Sequence, residues 1–359
     1  MEIEHFVFQR PLSNSGCVLN IVANRYRPSN VTSASGLTLI LTHGAAYHKE
    51  HWEPTLEQLF KFNSSGTILI REAWSFDWPN HGDAGVLNAS IFAKRPDGIR
   101  EQEFSAAIID FMASGYVTGH QLVGIGHSLG STATLFTAVP MPDTKMPISA
   151  VILVDPVLAP KDIYDAKIKH NATKMISQAI STRRDTWDSR EAAYNQLKKR
   201  MPWKAWDDAV LLIYVNHGLR SVPSAETPGN SSVTLKCNKD QELSVWRFPQ
   251  PTFDILTRLD AICSRTPVHV ILGERADVIP SFVHKWLEDS YSGLFATMRR
   301  VPGVGHNVRM FRLLSTLAHP DSTIRSLKRT QSCWHRQFHP VFSRPFQVYR
   351  GPLCNCGGC

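Results

Sequence analysis

The sequence predicts an α/β fold: a mostly parallel sheet with helices on both faces and a mainly helical inserted cap. Three features predict it. Short, continuous apolar runs recur at 36–44, 67–74, 120–127, 149–157 and 268–274, as strands buried on both faces require. Stretches of helical spacing alternate with them, the pattern of right-handed crossovers between parallel strands. Between about 158 and 266 this rhythm stops, and a polar stretch rich in Trp and Tyr takes its place.

Taken in order, HFVFQR and CVLNIVANRYRP within residues 3–28 are two strand-like runs separated by the turn-rich LSNSG, which fits an initial hairpin. GLTLILTHG and TILIREAW supply two strands, with helical spacing between them from His51 to Phe62. EQEFSAAIIDFMASG at 101–115 reads as an amphipathic helix with Gly115 near its end. HQLVGIGHSLG then runs from a strand into a glycine-flanked serine, STATLFTAV continues as a helix, and SAVILVDPV is a further strand stopped by Pro156. Within the insert, AYNQLKKR and AWDDAVLLIYVNHG are helical and SVPSAETPGNSS at 221–232 reads as a loop. The aromatics here, among them Trp203, Trp206, Tyr214 and Trp246, suit either a pocket for an acyl or polyketide-sized group or the packing of the cap itself. The sheet resumes with VHVILGE, a helix over FVHKWLEDSY, the strand in FATMRRVPGVGH and a helix from near Val308.

This order divides the chain into an N-terminal core part (1–157), the cap (158–266), a C-terminal core part (267–320) and a basic, Cys-ended extension (321–359). Its 359 residues, 43% hydrophobic and 19% charged, suffice for one large core and exclude disordered, collagen-like and repeat architectures. No apolar run reaches the length of a membrane span, so no integral membrane association is expected. MEIEHFVFQRPLSNSG lacks the basic and apolar regions of a signal peptide, which makes a cytoplasmic location the expectation. The net charge of +8 is nearly all in the residues after His306, where eight basic side chains face one acid, Asp321. That distribution fits a solvated tail, and no nucleic-acid partner is expected. The seven cysteines form no disulfide framework, and CNCGGC at the end lacks the partners of a zinc site, so no metal is expected.

The sharpest chemical signal is Gly126-His127-Ser128-Leu129-Gly130. A serine at a strand-to-helix turn projects its hydroxyl from a strained backbone, and a Cβ at either flanking glycine would collide with a neighbouring element. Ser128 is therefore the candidate nucleophile. The charge that develops on a tetrahedral intermediate needs backbone donors, for which the Leu129 and Ala45 amides are the candidates. His43 is read as structural. Among 15 histidines, His306 has the right setting for the base, because it follows a strand late in the chain. His127 is too close along the chain to serve Ser128. Two carboxylates end strands and remain alternatives for orienting His306: Asp155 and Asp277.

On these residues the chain resembles the α/β-hydrolases from about residue 5 to 320. Members commonly carry the acid in a Gly-x-x-Asp pattern with proline four positions later. Here Gly273-Glu274-Arg275 leads to Ala276, with Pro280 four beyond, and Asp277 falls one residue late. Together with THGAAYHKEHWEP and DWPNHGDA, the chain resembles fungal secondary-metabolite hydrolases, including the acyl-CoA hydrolase of mycophenolic acid biosynthesis and host-selective-toxin biosynthesis hydrolases. In that group the acid lies after the strand that follows the nucleophile helix, which favours Asp155. The resemblance implies a serine-dependent hydrolase of an ester or acyl-CoA thioester intermediate in polyketide or toxin biosynthesis, with no cofactor and a small-molecule substrate. It also leaves open a peroxisomal location, although no C-terminal import tripeptide is present, and a homodimer. A cyclase or acyltransferase on the same fold and a non-catalytic ligand-binding protein are the rivals. Serine at the turn excludes reactions that need a carboxylate nucleophile there. Asp77 and His81 are expected to brace their loop, His51-Trp52 to border the pocket, and Arg309 or Arg312 to meet a CoA phosphate.

Overall fold

A computed structural model of the chain describes residues 1–12, 17–29, 36–64, 69–140, 148–168, 172–223, 231–306 and 348–349. Among them one nine-stranded sheet forms the centre. The strands are β1 (Glu2–Pro11), β2 (Val18–Arg27), β3 (Leu37–Thr42), β4 (Ile70–Phe76), β5 (Gln121–His127) and β6 (Ile148–Val154), with β10 (Val268–Gly273), β11 (Thr297–Val301) and β12 (Val348–Tyr349). Their spatial order is β11-β10-β6-β5-β3-β4-β2-β1-β12. β1 and β2 form the expected antiparallel hairpin, and the strands from β4 to β11 are parallel to one another.

Alternation along the buried strands splits the interior in two. On one face Ile40, Leu122, Leu153 and Val270 pack with Phe104, Ile108 and Phe111 of the helix Glu101–Met112 and with Ala133 and Leu135 of the helix Leu129–Thr137. On the other, Leu39, Leu41, Val123, Ile152 and Ile271 pack with Leu56 and Leu59 of the helix Glu53–Ser64. Every residue of β3 and β10 is buried, so the two-sided burial read from their unbroken apolar runs is present. Among the described residues no helix is long and apolar enough to cross a membrane.

The insert differs from its reading in two respects. Beside its helices Ala172–Thr182, Arg190–Leu197, Asp208–Gly218 and Lys239–Arg247 stands a small antiparallel sheet. It is formed by β7 (Thr186–Trp187), β8 (Leu219–Pro223) and β9 (Ser231–Leu235) in the order β7-β9-β8. The stretch read as one loop thus begins and ends in strands. Trp187, Trp203, Leu211, Tyr214 and Val233 give this unit its own apolar centre. Ile255, Leu259 and Ile262 pack instead in the main interior, so the chain has returned to the sheet before residue 266. The helix expected from Val308, Arg309, Arg312 and the CNCGGC segment lie outside the described residues.

Candidate active site

The parallel strands β3, β5, β6, β10 and β11 end side by side, and the loops that leave them build the site. Leaving β5, Ser128 has φ 53° and ψ −123°, a conformation disfavoured for any residue with a Cβ. Packing holds it there. The Ser128 amide donates to the Val154 carbonyl at 2.9 Å, and the Ser131 hydroxyl donates to the Gly126 carbonyl at 2.8 Å. A Cβ on Gly126 would sit 2.5 Å from the Gly130 carbonyl oxygen, and one on Gly130 would sit 2.5 Å from that of Thr42. The collisions expected from the glycine spacing are therefore real. Thr42 completes the seat by donating to the Gly130 carbonyl at 2.8 Å. Among the described residues three non-glycine positions have positive φ: Ala46, Ser128 and Asp155. All three lie in these loops, so the backbone strain is concentrated where the candidate chemistry is.

His306 is gripped at three atoms. Its amide donates to Asp277 Oδ1 at 2.7 Å, its carbonyl accepts from His127 Nε2 at 3.0 Å, and its Nδ1 meets Asp155 Oδ2 at 2.7 Å. The carboxylate on Nδ1 fixes the proton there and leaves Nε2 as the ring nitrogen open to proton transfer. Asp155 comes from the end of β6, and the Gly273 amide donates to its Oδ1 at 2.8 Å. Burial alone would raise the Asp155 pKa. The imidazoles of His284 and His306, with the Gly273 amide, outweigh burial and hold the carboxyl well below its ordinary range. The carboxylate stays ionised in a nearly water-free setting.

Of the two acids left open by strand position, Asp155 thus meets the imidazole and Asp277 meets the backbone of the same residue. Asp277 also fills the space beside Gly305, where an added Cβ would lie 1.9 Å from Asp277 Oδ2. His127 is held neutral: burial first, and the nearby His306 second, push its pKa down to about 4. Its Nε2–H serves the His306 carbonyl, consistent with its exclusion as the base.

Ser128 and His306 line one cavity of about 330 Å³, together with Ala45, Ala46 and Tyr47 from the loop after β3. Leu129 is the first residue of the helix that follows Ser128, so its amide is among those left unpaired by helix geometry. A Cβ on Gly44 would lie 2.9 Å from the Ser128 Cβ, so the loop carrying Ala45 passes directly against the serine. Another part of the wall comes from the insert: Ile176, Ile180, Trp203, Trp206, Tyr214 and Trp246. These aromatics line the cavity and also pack the insert, since Trp203 and Tyr214 belong to its apolar centre. Arg183 lines the same wall, where it makes a two-pronged contact with Glu242 at 3.0 and 2.5 Å.

Behind the cavity, the loop after β4 acts as a brace. Lys49, fully buried, lies 3.1 Å from Asp77, 2.6 Å from Asp83 and 2.7 Å from Glu50. Burial would lower the Lys49 pKa, but these carboxylates hold it well above its ordinary value. His43 donates from Nδ1 to the Gly44 carbonyl at 2.8 Å and accepts the Trp78 amide at Nε2 at 3.2 Å, which makes it a neutral structural strut. His81 pairs with Asn80 at 2.7 Å. The expectation for His51-Trp52 is corrected: Trp52 is buried among Leu56 and its neighbours, and His51 lies under the Tyr47 ring, 4.7 Å between centroids. Tyr47 lines the cavity instead.

Sequence reasoning missed Tyr47, the Arg183–Glu242 pair, the grip of His127 and the nearness of His284 to Asp155. The last two were signalled only by histidines at strand and helix positions where an apolar residue would otherwise pack.

Comparison with known proteins finds relatives of the same fold. Peroxisomal membrane protein LPX1 of Saccharomyces cerevisiae is 29% identical over 141 residues, covering 38% of this chain. The match spans about a third of that relative, 34% of its length. The solved structure of the peroxisomal alpha-beta-hydrolase Lpx1 from S. cerevisiae superposes with a TM-score of 0.66 at 17% identity, covering 92% of this chain and 87% of that one. A thioesterase domain from the curacin biosynthetic pathway gives 0.58 at 15% identity, covering 86% and 96%. The M. tuberculosis esterase Rv0045c gives 0.56 at 16%, covering 92% of each chain. The model of the Alpha/beta hydrolase family matches residues 39–322. The chain belongs to the alpha/beta hydrolase family.

Proposed function

We propose that the chain is a serine hydrolase of carboxylic esters or thioesters, with Ser128 as nucleophile, His306 as base and Asp155 as the orienting acid. One observation carries this reading: a strained serine and an imidazole oriented by a buried carboxylate at 2.7 Å open onto the same cavity. His306 Nε2 takes the Ser128 proton as Oγ attacks the carbonyl carbon, and the Leu129 and Ala45 amides receive the charge on the tetrahedral oxygen. The imidazolium then protonates the leaving alcohol or thiol. In the second half of the cycle His306 removes a proton from water, which releases the acid and restores the serine. Asp155 keeps its charge throughout and stabilises the imidazolium.

The insert's part of the lining supports an apolar acyl group, since Ile176, Ile180, Trp206 and Trp246 line the cavity onto which Ser128 opens. An acyl-CoA or ester intermediate of fungal secondary metabolism, the class implied by the sequence resemblance, fits such a lining. The name of the curacin thioesterase and that of the mycobacterial esterase support acyl transfer to water over ring closure or transfer to an alcohol. Of the two locations considered, the peroxisomal name of the yeast relative favours the peroxisome, which fractionation of cells expressing the full chain tests. Activity is tested with a panel of acyl-CoAs and p-nitrophenyl esters. Release of free acid with loss of activity in Ser128→Ala is the expected result. Turnover of esters alone rejects the CoA assignment, and full activity in Ser128→Ala rejects the mechanism.

A further inference from the structure

We infer that His284 is a positioning residue that holds the second oxygen of Asp155, an inference that rests on the serine-hydrolase reading. His284 lies on the helix Ser281–Tyr291, remote in sequence from both Asp155 and Ser128. It is 1% exposed, and its Nε2 lies 3.3 Å from Asp155 Oδ1. The carboxylate is thus flanked by two imidazoles, His306 on Oδ2 and His284 beside Oδ1, with the Gly273 amide also on Oδ1.

The protonation state follows from what surrounds the ring. Neither buried ring nitrogen has a hydrogen-bond partner of good geometry among the described residues, so a doubly protonated ring would bury two unpaired N–H groups. A proton on Nδ1 alone would leave Nε2 and the carboxylate as two acceptors facing each other at 3.3 Å. The neutral tautomer with its proton on Nε2 is the arrangement that sets a donor, and not an acceptor, beside the carboxylate. At 3.3 Å the pair is within ion-pair distance but outside hydrogen-bond geometry, so the ring stands beside Oδ1 as a buried polar neighbour. Neutral His284 has a further consequence. A charged ring there would draw on the same carboxylate that His306 needs when it becomes imidazolium. An uncharged donor fixes the rotation of Asp155, keeping Oδ2 on His306 Nδ1, and leaves the full charge for the base.

The test has two arms. In ¹⁵N-histidine-labelled wild-type protein at pH 7, NMR is expected to show His284 neutral and protonated on Nε2; an imidazolium or the Nδ1–H tautomer overturns the inference whatever the activity. In the second arm, p-nitrophenyl ester turnover and fluorophosphonate labelling of Ser128 are measured for wild type, His284→Leu and His284→Gln. The leucine variant is expected to lose roughly 10-fold in kcat as the Asp155 carboxylate loses its polar neighbour, with KM within about twofold. Glutamine, which restores an N–H donor, is expected to recover most of that loss. Equal loss in both variants, or a loss confined to KM, points to packing alone and overturns the positioning role. Wild type that folds but neither labels nor turns over refutes the serine-hydrolase reading itself, a result distinct from active wild type with unchanged variants.

Discussion

Replacing Asp155 by asparagine tests the assignment of the acid with almost no change of shape. The Gly273 amide lies 2.8 Å from Oδ1 and His306 Nδ1 lies 2.7 Å from Oδ2. An asparagine that keeps its oxygen toward Gly273 must turn its NH₂ toward His306. The opposite rotamer would set NH₂ against the Gly273 N–H, donor against donor. The amide therefore donates to Nδ1 and drives the ring proton to Nε2, where His306 no longer accepts a proton from Ser128. The imidazolium also loses its buried counter-charge. A wrong tautomer in a serine triad costs roughly 10³- to 10⁴-fold in kcat, or ~4–5.5 kcal/mol. The assay is p-nitrophenyl ester hydrolysis under saturating substrate, with circular dichroism and Tm confirming that the variant folds. A loss of less than about tenfold, or a larger loss in Asp277→Asn, refutes the argument.

Four further outcomes follow from the same geometry. Asp277→Asn is expected to stay within about fivefold of wild type, because its Oδ1 still accepts the His306 amide, whereas Asp277→Ala leaves that buried amide unpaired and costs ~1–3 kcal/mol in chemical unfolding. Gly305→Ala forces a Cβ into Asp277, and its expected signature is a fall in both Tm and kcat, read side by side. Removing Glu242 as Glu242→Leu strands the Arg183 guanidinium in the cavity wall and is expected to lower stability by about 3 kcal/mol in urea titration. Burial holds His127 near pH 4 against about 6.5 for a free imidazole, so between those values the unfolded chain carries a proton that the native chain lacks. Stability is then expected to rise with pH across that window and to be lost as pH falls through it, on the order of 3 kcal/mol for this site, with a visibly shallower Tm–pH curve in His127→Gln.

Where periodicity and steric need were local, the sequence was readable. The glycines on either side of His127-Ser128-Leu129 announce the strained turn because each has no room for a Cβ. β3 and β10 announce two-sided burial because every one of their residues is apolar or a small threonine or glycine, apart from His269. His306 was identified by its place after a strand, and Asp155 by resemblance. What stayed hidden depends on where side chains from distant loops point. Asp277 was placed one residue out of register for the acid, yet that offset is what turns its carboxylate onto the His306 amide instead of the ring. The grip of His127 on the His306 carbonyl joins residues 179 apart, and no local pattern records it. The β8–β9 pair escapes the sequence reading because both strands are short, β8 is largely exposed, and Pro223 and the Ser-rich start of β9 read as turn residues. Only the Val233–Leu235 alternation carried a strand signal.

The measurement that bears most directly on the account is the intact mass of the folded protein after treatment with a fluorophosphonate, followed by peptide mapping. One adduct per chain on Ser128, absent from Ser128→Ala and formed far more slowly in His306→Gln, is the predicted result. A folded chain that takes up no adduct, or takes it up on another residue, contradicts it.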